Sequence, residues 1–336
     1  MGLTHLKPER CPMLHLSFQG GVKEEIMSKS KANSAPVRFI DLFAGIGGFH
    51  IAMHSHGAEC VFVSEWDAHA RKTYEHNFKS LSPRVFQEDT SSGEQKFFAG
   101  DITKVDLKAD PLAIPDFDVL CGGFPCQPFS QAGLKKGMEE TRGTLFFDIV
   151  RILEDKKPAA FFLENVRGLL NHQSGDKKTI EIIERKLADL GYSFNLHLVK
   201  ASDHGVPQHR PRLFMIGFKS PEQDAIYKAN LPKAVPLALT MSDVMGGEVN
   251  REVGFTLRVG GRHSGVDDRR NWDTYLVNGA PVVLNKAQGL QMQGFPSWFE
   301  FPETVTETQA MKQLGNSVAV PAISAYVGAI MKALKG

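Results

Sequence analysis

The sequence predicts an α/β protein: a doubly wound, mostly parallel sheet with a second, smaller domain. Three observations carry this. Short apolar runs and amphipathic runs take turns from residue 37 to about 218. A glycine turn, AGIGG (44–48), joins the first strand to the first helix. The rhythm then breaks at 219, where a Pro-, Gly- and Arg-bearing stretch begins.

The elements follow in order. VRFIDLF (37–43) is a buried strand, and FHIAMHSHG (49–57) a helix closed by Gly57. AECVFVSEWD (58–67) contains the second strand, and AHARKTYEHNF (68–78) reads as a helix. Residues 80–98 are polar and irregular, which predicts a surface insertion. GDIT (100–103) ends a third short strand-like segment, and FDVLCGG (117–123) is a fourth strand. LFFDIVRILEDKK (145–157) is a helix, and PAAFFLENV (158–166) a fifth strand. KTIEIIERKLADLGY (178–192) has the apolar spacing of an amphipathic helix. FNLHLVKA (194–201) and RLFMIGF (212–218) are further strands. Residues 37–218 therefore form the sheet domain, and 219–283 the second domain. Within 284–336 the last helix, entered at Pro321, returns to the sheet. Residues 1–36 lack periodicity and a long apolar run, so they read as a disordered extension, with Met27 an alternative start.

Composition narrows the class. The 336 residues are 42% apolar and 23% charged, as in an ordinary globular chain. A net charge of +1 gives no global field, so any nucleic-acid binding needs a local patch. Four cysteines (11, 60, 121, 126) are too few for a disulfide scaffold, and no second Cys/His pair accompanies 121 and 126 to hold zinc. No run reaches the ~18 apolar residues of a membrane span. These features describe a cytoplasmic enzyme in a reducing compartment, without metal or membrane.

Ligands of doubly wound sheets bind at the carboxyl ends of the strands. The glycine turn there reads GxGG, because a third fingerprint glycine would fall on His50. Glu65 ends the second strand twenty residues after Gly45, placed to accept from ribose hydroxyls. Asp101 ends the third segment, placed to accept from an adenine amine. Each alone is also what a solvated strand end looks like. Together they favour an adenosine cofactor without phosphates, and S-adenosylmethionine fits.

At the same edge GGFPCQPFSQAG (122–133) puts Cys126 directly after a proline, in a loop rather than a core. Glu164 and Asn165 emerge from an apolar strand in FFLENV. QHRPR carries Gln208, Arg210 and Arg212, and GNSV carries Asn316. In this order, FIDLFAGIGG, SEWD, GDIT, GGFPCQPFSQAG, FFLENV, QHRPR, LQMQGFP and GNSVAVP resemble the motifs of the DNA (cytosine-5)-methyltransferases. The resemblance spans residues 37 to 334, interrupted at 80–98 and at 219–283.

That resemblance implies a Rossmann-like S-adenosylmethionine-dependent methyltransferase, with 219–283 as its target-recognition domain. It implies that Cys126 adds to C6 of a flipped-out cytosine. It implies that Glu164 bonds the N3/N4 edge, and that Arg212 contacts O2 and orients Glu164. Arg210 would support the loop or a phosphate. Cofactor contacts would fall at Phe43, Gly45, Gly47, Glu65, Trp66, Asp101, Ile102, Phe124, Leu145, Asn316 and Val318. Ser130 and Gln131 would lie near DNA in the catalytic loop.

The second domain holds Arg251, Arg258, Arg262, Arg269 and Arg270 in residues 251–272, without a lysine. Arginine suits bidentate contact with guanine, so Arg258, Arg262, Arg269 and Arg270 are candidate DNA contacts. Local ion pairs to Asp267 and Asp268 are the plainer account of some of them. Three other functions compete. A tRNA cytosine methyltransferase shares the catalytic domain but tends to carry a Cys-Phe-Thr tripeptide absent from 219–283. A silent nucleic-acid-binding module would not need Cys126, Glu164 and Arg212 intact. A Rossmann oxidoreductase would want the third glycine. The expected partners are double-stranded DNA and a restriction endonuclease acting on the same site, and the expected state is a monomer.

Overall fold

The computed structural model describes residues 35–88, 95–125, 145–174 and 177–336. The chain begins with β1 (Arg38–Leu42), α1 (Gly48–Ser55), β2 (Glu59–Ser64), α2 (Ala68–Phe78), β3 (Phe98–Ala99) and β4 (Val119–Gly123). It continues through α3 (Leu145–Lys156), β5 (Ala160–Val166), β6 (Gln173–Ser174), β7 (Lys177–Lys178), α4 (Thr179–Asp189), β8 (Asn195–Lys200) and β9 (Pro211–Phe218). It ends with α5 (Pro221–Ala229), α6 (Met241–Met245), β10 (Thr274–Val277), β11 (Ala280–Val283), α7 (Lys286–Met292), α8 (Glu307–Asn316) and α9 (Val320–Lys335).

The main sheet has seven strands in the order β3-β2-β1-β4-β5-β9-β8. The five strands from β3 to β5 are parallel. β9 runs antiparallel to β5, and β8 antiparallel to β9. The link between β8 and β9 explains the reversal: residues 201–210 are too few for a crossover helix, so the two strands must pair antiparallel.

Both faces of the central strands are buried, which is why those strands read as continuous apolar runs. Alternate residues serve opposite cores. Phe39, Cys121, Phe162 and Phe214 face one, and Ile40, Leu120, Phe161 and Leu213 the other. α3 buries Phe146, Ile149, Ile152 and Leu153, while α2 starts where Asp67 accepts from the backbone N–H of His69 and Ala70. α9 carries Pro321 in its first turn and packs on α1 and α5, so the C-terminal segment does return to the sheet.

Three features differ from the sequence reading. The stretch beginning at 219 opens with α5, which belongs to the sheet. Asp224 accepts from Ser193 Oγ and Asn195 Nδ2 at 2.7 Å each, and Tyr227 hydrogen-bonds His197. Several of the stretch's buried residues join a core shared with the sheet. Met241, Leu257, Trp272 and Tyr275 sit in the hydrophobic cluster that also holds Phe39 and Phe162. Finally, the expected surface insertion at 80–98 is partly interior. Val85 and Phe86 are buried in a single turn (Pro83–Phe86), and Phe98 lies in β3. Polar surroundings masked these few apolar residues. Residues 89–94 of that stretch, and 1–34 of the N-terminal extension, lie outside the described residues.

Candidate active site and cofactor cleft

The carboxyl ends of the parallel strands open into a cleft of about 770 Å³, within the ~300–1,000 Å³ usual for ligand sites. Phe43, Gly45, Glu65, Trp66, Phe124, Leu145 and Asn316 line it, as do Glu164 and Arg212.

The turn after β1 is tightly wound. Gly45 (φ 55°) and Gly47 (φ 83°) are left-handed, and so is Phe43 (φ 56°), a conformation that costs a non-glycine residue about 1 kcal/mol or more. Open space surrounds the position where a Gly45 side chain would stand. Glu65 holds the turn down: Oε2 accepts from Gly45 N–H and Oε1 from Asp67 N–H, both at 2.7 Å. Burial pushes the Glu65 carboxyl above its ordinary range, while these two amides favour its charged form. Each oxygen keeps a second lone pair for a ligand hydroxyl. Beside it Trp66 is 75% exposed, an aromatic face available to a flat ring. A pinned carboxylate, an open glycine turn and an uncovered indole fit an adenosine group.

Four expected cofactor residues are not among those that line the cleft. Asp101 caps the turn Ile102–Lys104 through Thr103 N–H (3.0 Å) and Thr103 Oγ1 (2.8 Å), and Thr103 lines the cleft instead. Ile102 is buried. Gly47 backs onto the Phe78 ring, and Val318 packs against Gly48.

Glu164 closes the other half. It projects from the carboxyl end of β5, 8% exposed, and Arg212 Nε meets its Oε1 at 2.8 Å. Burial raises the carboxyl's pKa, and the charges of Arg212 and Arg210 only partly oppose this. The neighbouring Asn165 donates to Phe124 O (2.9 Å) and accepts from Val166 N–H (2.8 Å). It thereby fixes the chain as it leaves β4, and Pro125 lines the cleft. Cys126, Ser130 and Gln131 lie outside the described residues.

Of the two roles expected for Arg210, loop support or a phosphate, its contacts favour the first. It is 1% exposed and spends its guanidinium on three backbone carbonyls, of Leu257, Gly315 and Ser317. A side chain enclosed in this way has no face to offer a phosphate. Arg262 is similarly committed: it pairs with the fully buried Asp273 at 3.2 Å and donates to Leu284 O at 2.9 Å. Arg258 and Arg269 are exposed, and Arg270 forms an exposed pair with Asp268 at 2.8 Å.

The sequence reading missed other lining residues, including Asp67, Asp148, Lys312 and Gln313. Lys312 Nζ reaches Asp67 Oδ2 at 3.4 Å, and Thr73 Oγ1 donates to Gln313 Oε1 at 2.8 Å. Both contacts join residues some 240 positions apart, and no local pattern encodes them. Asp67 alone left a signal, as an acidic residue directly before a helical run.

Comparison with known proteins is consistent with this arrangement. A family model described as C-5 cytosine-specific DNA methylase matches residues 37–252 and 283–332. The chain is 36% identical over 324 residues to the type II methyltransferase M.HhaI of Haemophilus parahaemolyticus, covering 84% of this chain and 91% of that one. It is 38% identical over 329 residues to M.SsoII of Shigella sonnei, covering 88% and 80%. Among solved structures, the S. pombe Dnmt2 methyltransferase superposes with a TM-score of 0.64 at 18% identity, covering 89% of this chain and all of that one. The chain therefore belongs to the C-5 cytosine-specific DNA methylases, enzymes that transfer a methyl group from S-adenosylmethionine to C5 of cytosine in double-stranded DNA.

Proposed function

We propose that catalysis runs through covalent addition of Cys126, with Glu164 and Arg212 holding the target base. The observation that carries this reading is the Arg212–Glu164 pair in the same cleft as the cofactor turn, with the chain entering at Pro125 one residue before Cys126.

The target cytosine leaves the duplex stack to enter the cleft, at a cost of a few kcal/mol. Its C5 is a poor nucleophile. Addition of the Cys126 thiolate to C6 makes C5 electron-rich and pushes charge toward N3 and O2. A protonated Glu164 donates at N3, and the Arg212 guanidinium offsets charge at O2. The cofactor supplies an electrophilic methyl group. The Gly45 turn, Glu65 and Trp66 would hold the cofactor, which would leave as the neutral thioether once C5 has taken the methyl. A base then takes the C5 proton, the C5–C6 double bond re-forms and Cys126 leaves as thiolate.

The exposed Arg258 and Arg269 face the DNA, with Arg270 released from Asp268 by a phosphate or base edge. Ser130 and Gln131 follow the catalytic cysteine into the same interface. The enzyme acts as a monomer in the cytoplasm, where its DNA is, and accompanies a restriction endonuclease of the same specificity. The type II methyltransferase relatives support that last assignment.

The test is transfer of labelled methyl to unmethylated genomic DNA, with tRNA in parallel and modified positions mapped. Label at cytosine C5 in one short context is expected. Cys126→Ser should lose turnover while retaining cofactor binding. Persistent turnover in that variant would remove the covalent mechanism.

A further inference from the structure

The segment Gln208–Arg212 is extended and alternates. His209 faces solvent, while Gln208 and Arg210 are buried, 0% and 1% exposed. Both clamp one residue of the recognition stretch. Gln208 Oε1 accepts from Leu257 N–H at 3.2 Å, and Arg210 Nη1 donates to Leu257 O at 3.1 Å. Leu257 immediately precedes the exposed run Arg258–Gly261.

The other edge of the Arg210 guanidinium donates to Gly315 O (2.9 Å) and Ser317 O. These carbonyls belong to the C-terminal end of α8, where backbone acceptors lack helical partners and the helix dipole favours a cation. Gly315 and Asn316 in that end line the cofactor cleft. The two backbones touch directly. A Cβ at Gly315 would lie 2.6 Å from Arg258 C and 2.8 Å from Val259 N. Two positions on, Arg212 meets Glu164.

A buried guanidinium is expensive to desolvate and needs compensating partners. The hydrogen bonds of Arg210 all go to carbonyls, and its Nε has no partner among the described residues. Burial and the neighbouring Arg212 charge lower its pKa. The gain from this arrangement is positional, because one rigid fork fixes two backbone segments at once.

We infer that Arg210 is a positioning residue that couples the DNA-facing run after Leu257 to the cofactor-facing end of α8. DNA engagement and cofactor affinity are thereby linked. Ordering of Arg258–Gly261 by DNA settles Gly315–Asn316 against the cofactor, and by reciprocity cofactor tightens DNA binding. The inference rests on reading the cleft as the cofactor site and the exposed arginines as DNA-facing.

Calorimetry with S-adenosylhomocysteine tests it, on the full chain with and without saturating duplex carrying the methylated context. The wild-type affinity should rise with DNA by a factor within the roughly 5–150-fold range of such couplings. Arg210→Met, which keeps the length but removes all donors, should bring that factor below about 2 while binding cofactor alone within a few-fold of wild type. Arg210→Lys should recover part of it. A merely structural role would lower the melting temperature and leave the factor intact. Gly315→Ala perturbs the same joint from the opposite side and should also lower the factor, which covers the case of an unfolded Arg210→Met. Wild type without coupling, or a folded Arg210→Met with full coupling, overturns the inference. Absence of methyl transfer by wild type would instead overturn the functional reading beneath it.

Discussion

Glu164 has two opposed influences acting on one carboxyl. Burial in β5 raises its pKa, and the Arg212 contact draws it back less than burial lifts it. The neutral form is the one able to donate at N3. Activity should therefore fall as pH rises through the raised value, giving kcat/KM an alkaline limb. Glu164→Gln should lose that limb and run about 10²–10³-fold slower; a variant profile with the limb unchanged would assign it to another group. Stability follows the same sign. A folded pKa above the unfolded one contributes stability that is complete below the ordinary glutamate range and lost as pH climbs through the raised value. The melting temperature of Glu164→Gln relative to wild type should thus increase with pH, in melts from acid to mildly alkaline buffer.

At the scale of elements, the turn into α1 is the most constrained joint. Gly47 precedes the helix in a left-handed conformation, and a Cβ there would stand 2.2 Å from Phe78 Cε2. That ring cannot retreat easily, being stacked on His50 at 4.1 Å, while His50 hydrogen-bonds Tyr74 and Ser82. Gly47→Ala should cost about 2–4 kcal/mol, combining left-handed strain with overpacking, and a thermal melt reads it. A variant as stable as wild type would show that the turn relaxes. This turn was legible in AGIGG, as were α2, which spans residues 68–78 as expected, the strand that ends just before Glu65 and the strand that carries Glu164. These features are encoded locally, by periodicity and by residues at strand ends. The reversal of β9 was hidden because strand direction depends on connection length and neighbours. The interior placement of Arg210 and Arg262 was hidden too. An arginine in a Gly- and Pro-rich stretch reads the same whether it faces DNA or a buried Asp273.

For the whole molecule, net charge is +1, so attraction to DNA must come from where cations stand. The stretch 219–283 shares its hydrophobic cluster with the sheet, which holds its exposed loops beside the cleft. Its arginines then divide into two groups. Arg258 and Arg269 are exposed. Arg262 is only 14% exposed and neutralises a fully buried Asp273 that also accepts from His263 N–H. Each phosphate neutralised adds about 0.9 to the slope of log affinity against log salt. Arg258→Ala and Arg269→Ala should each reduce that slope by about 1 if their contact is a phosphate, with little change in melting temperature. If either reads guanine, the loss should be about 1–3 kcal/mol on the cognate site only. Arg262→Ala should do the reverse, leaving the slope unchanged while stranding a buried carboxylate at a cost of about 3–5 kcal/mol. Filter binding across a salt series, with melts of the same three variants, separates the groups. A slope change confined to Arg262→Ala would place the DNA on the other side of this loop.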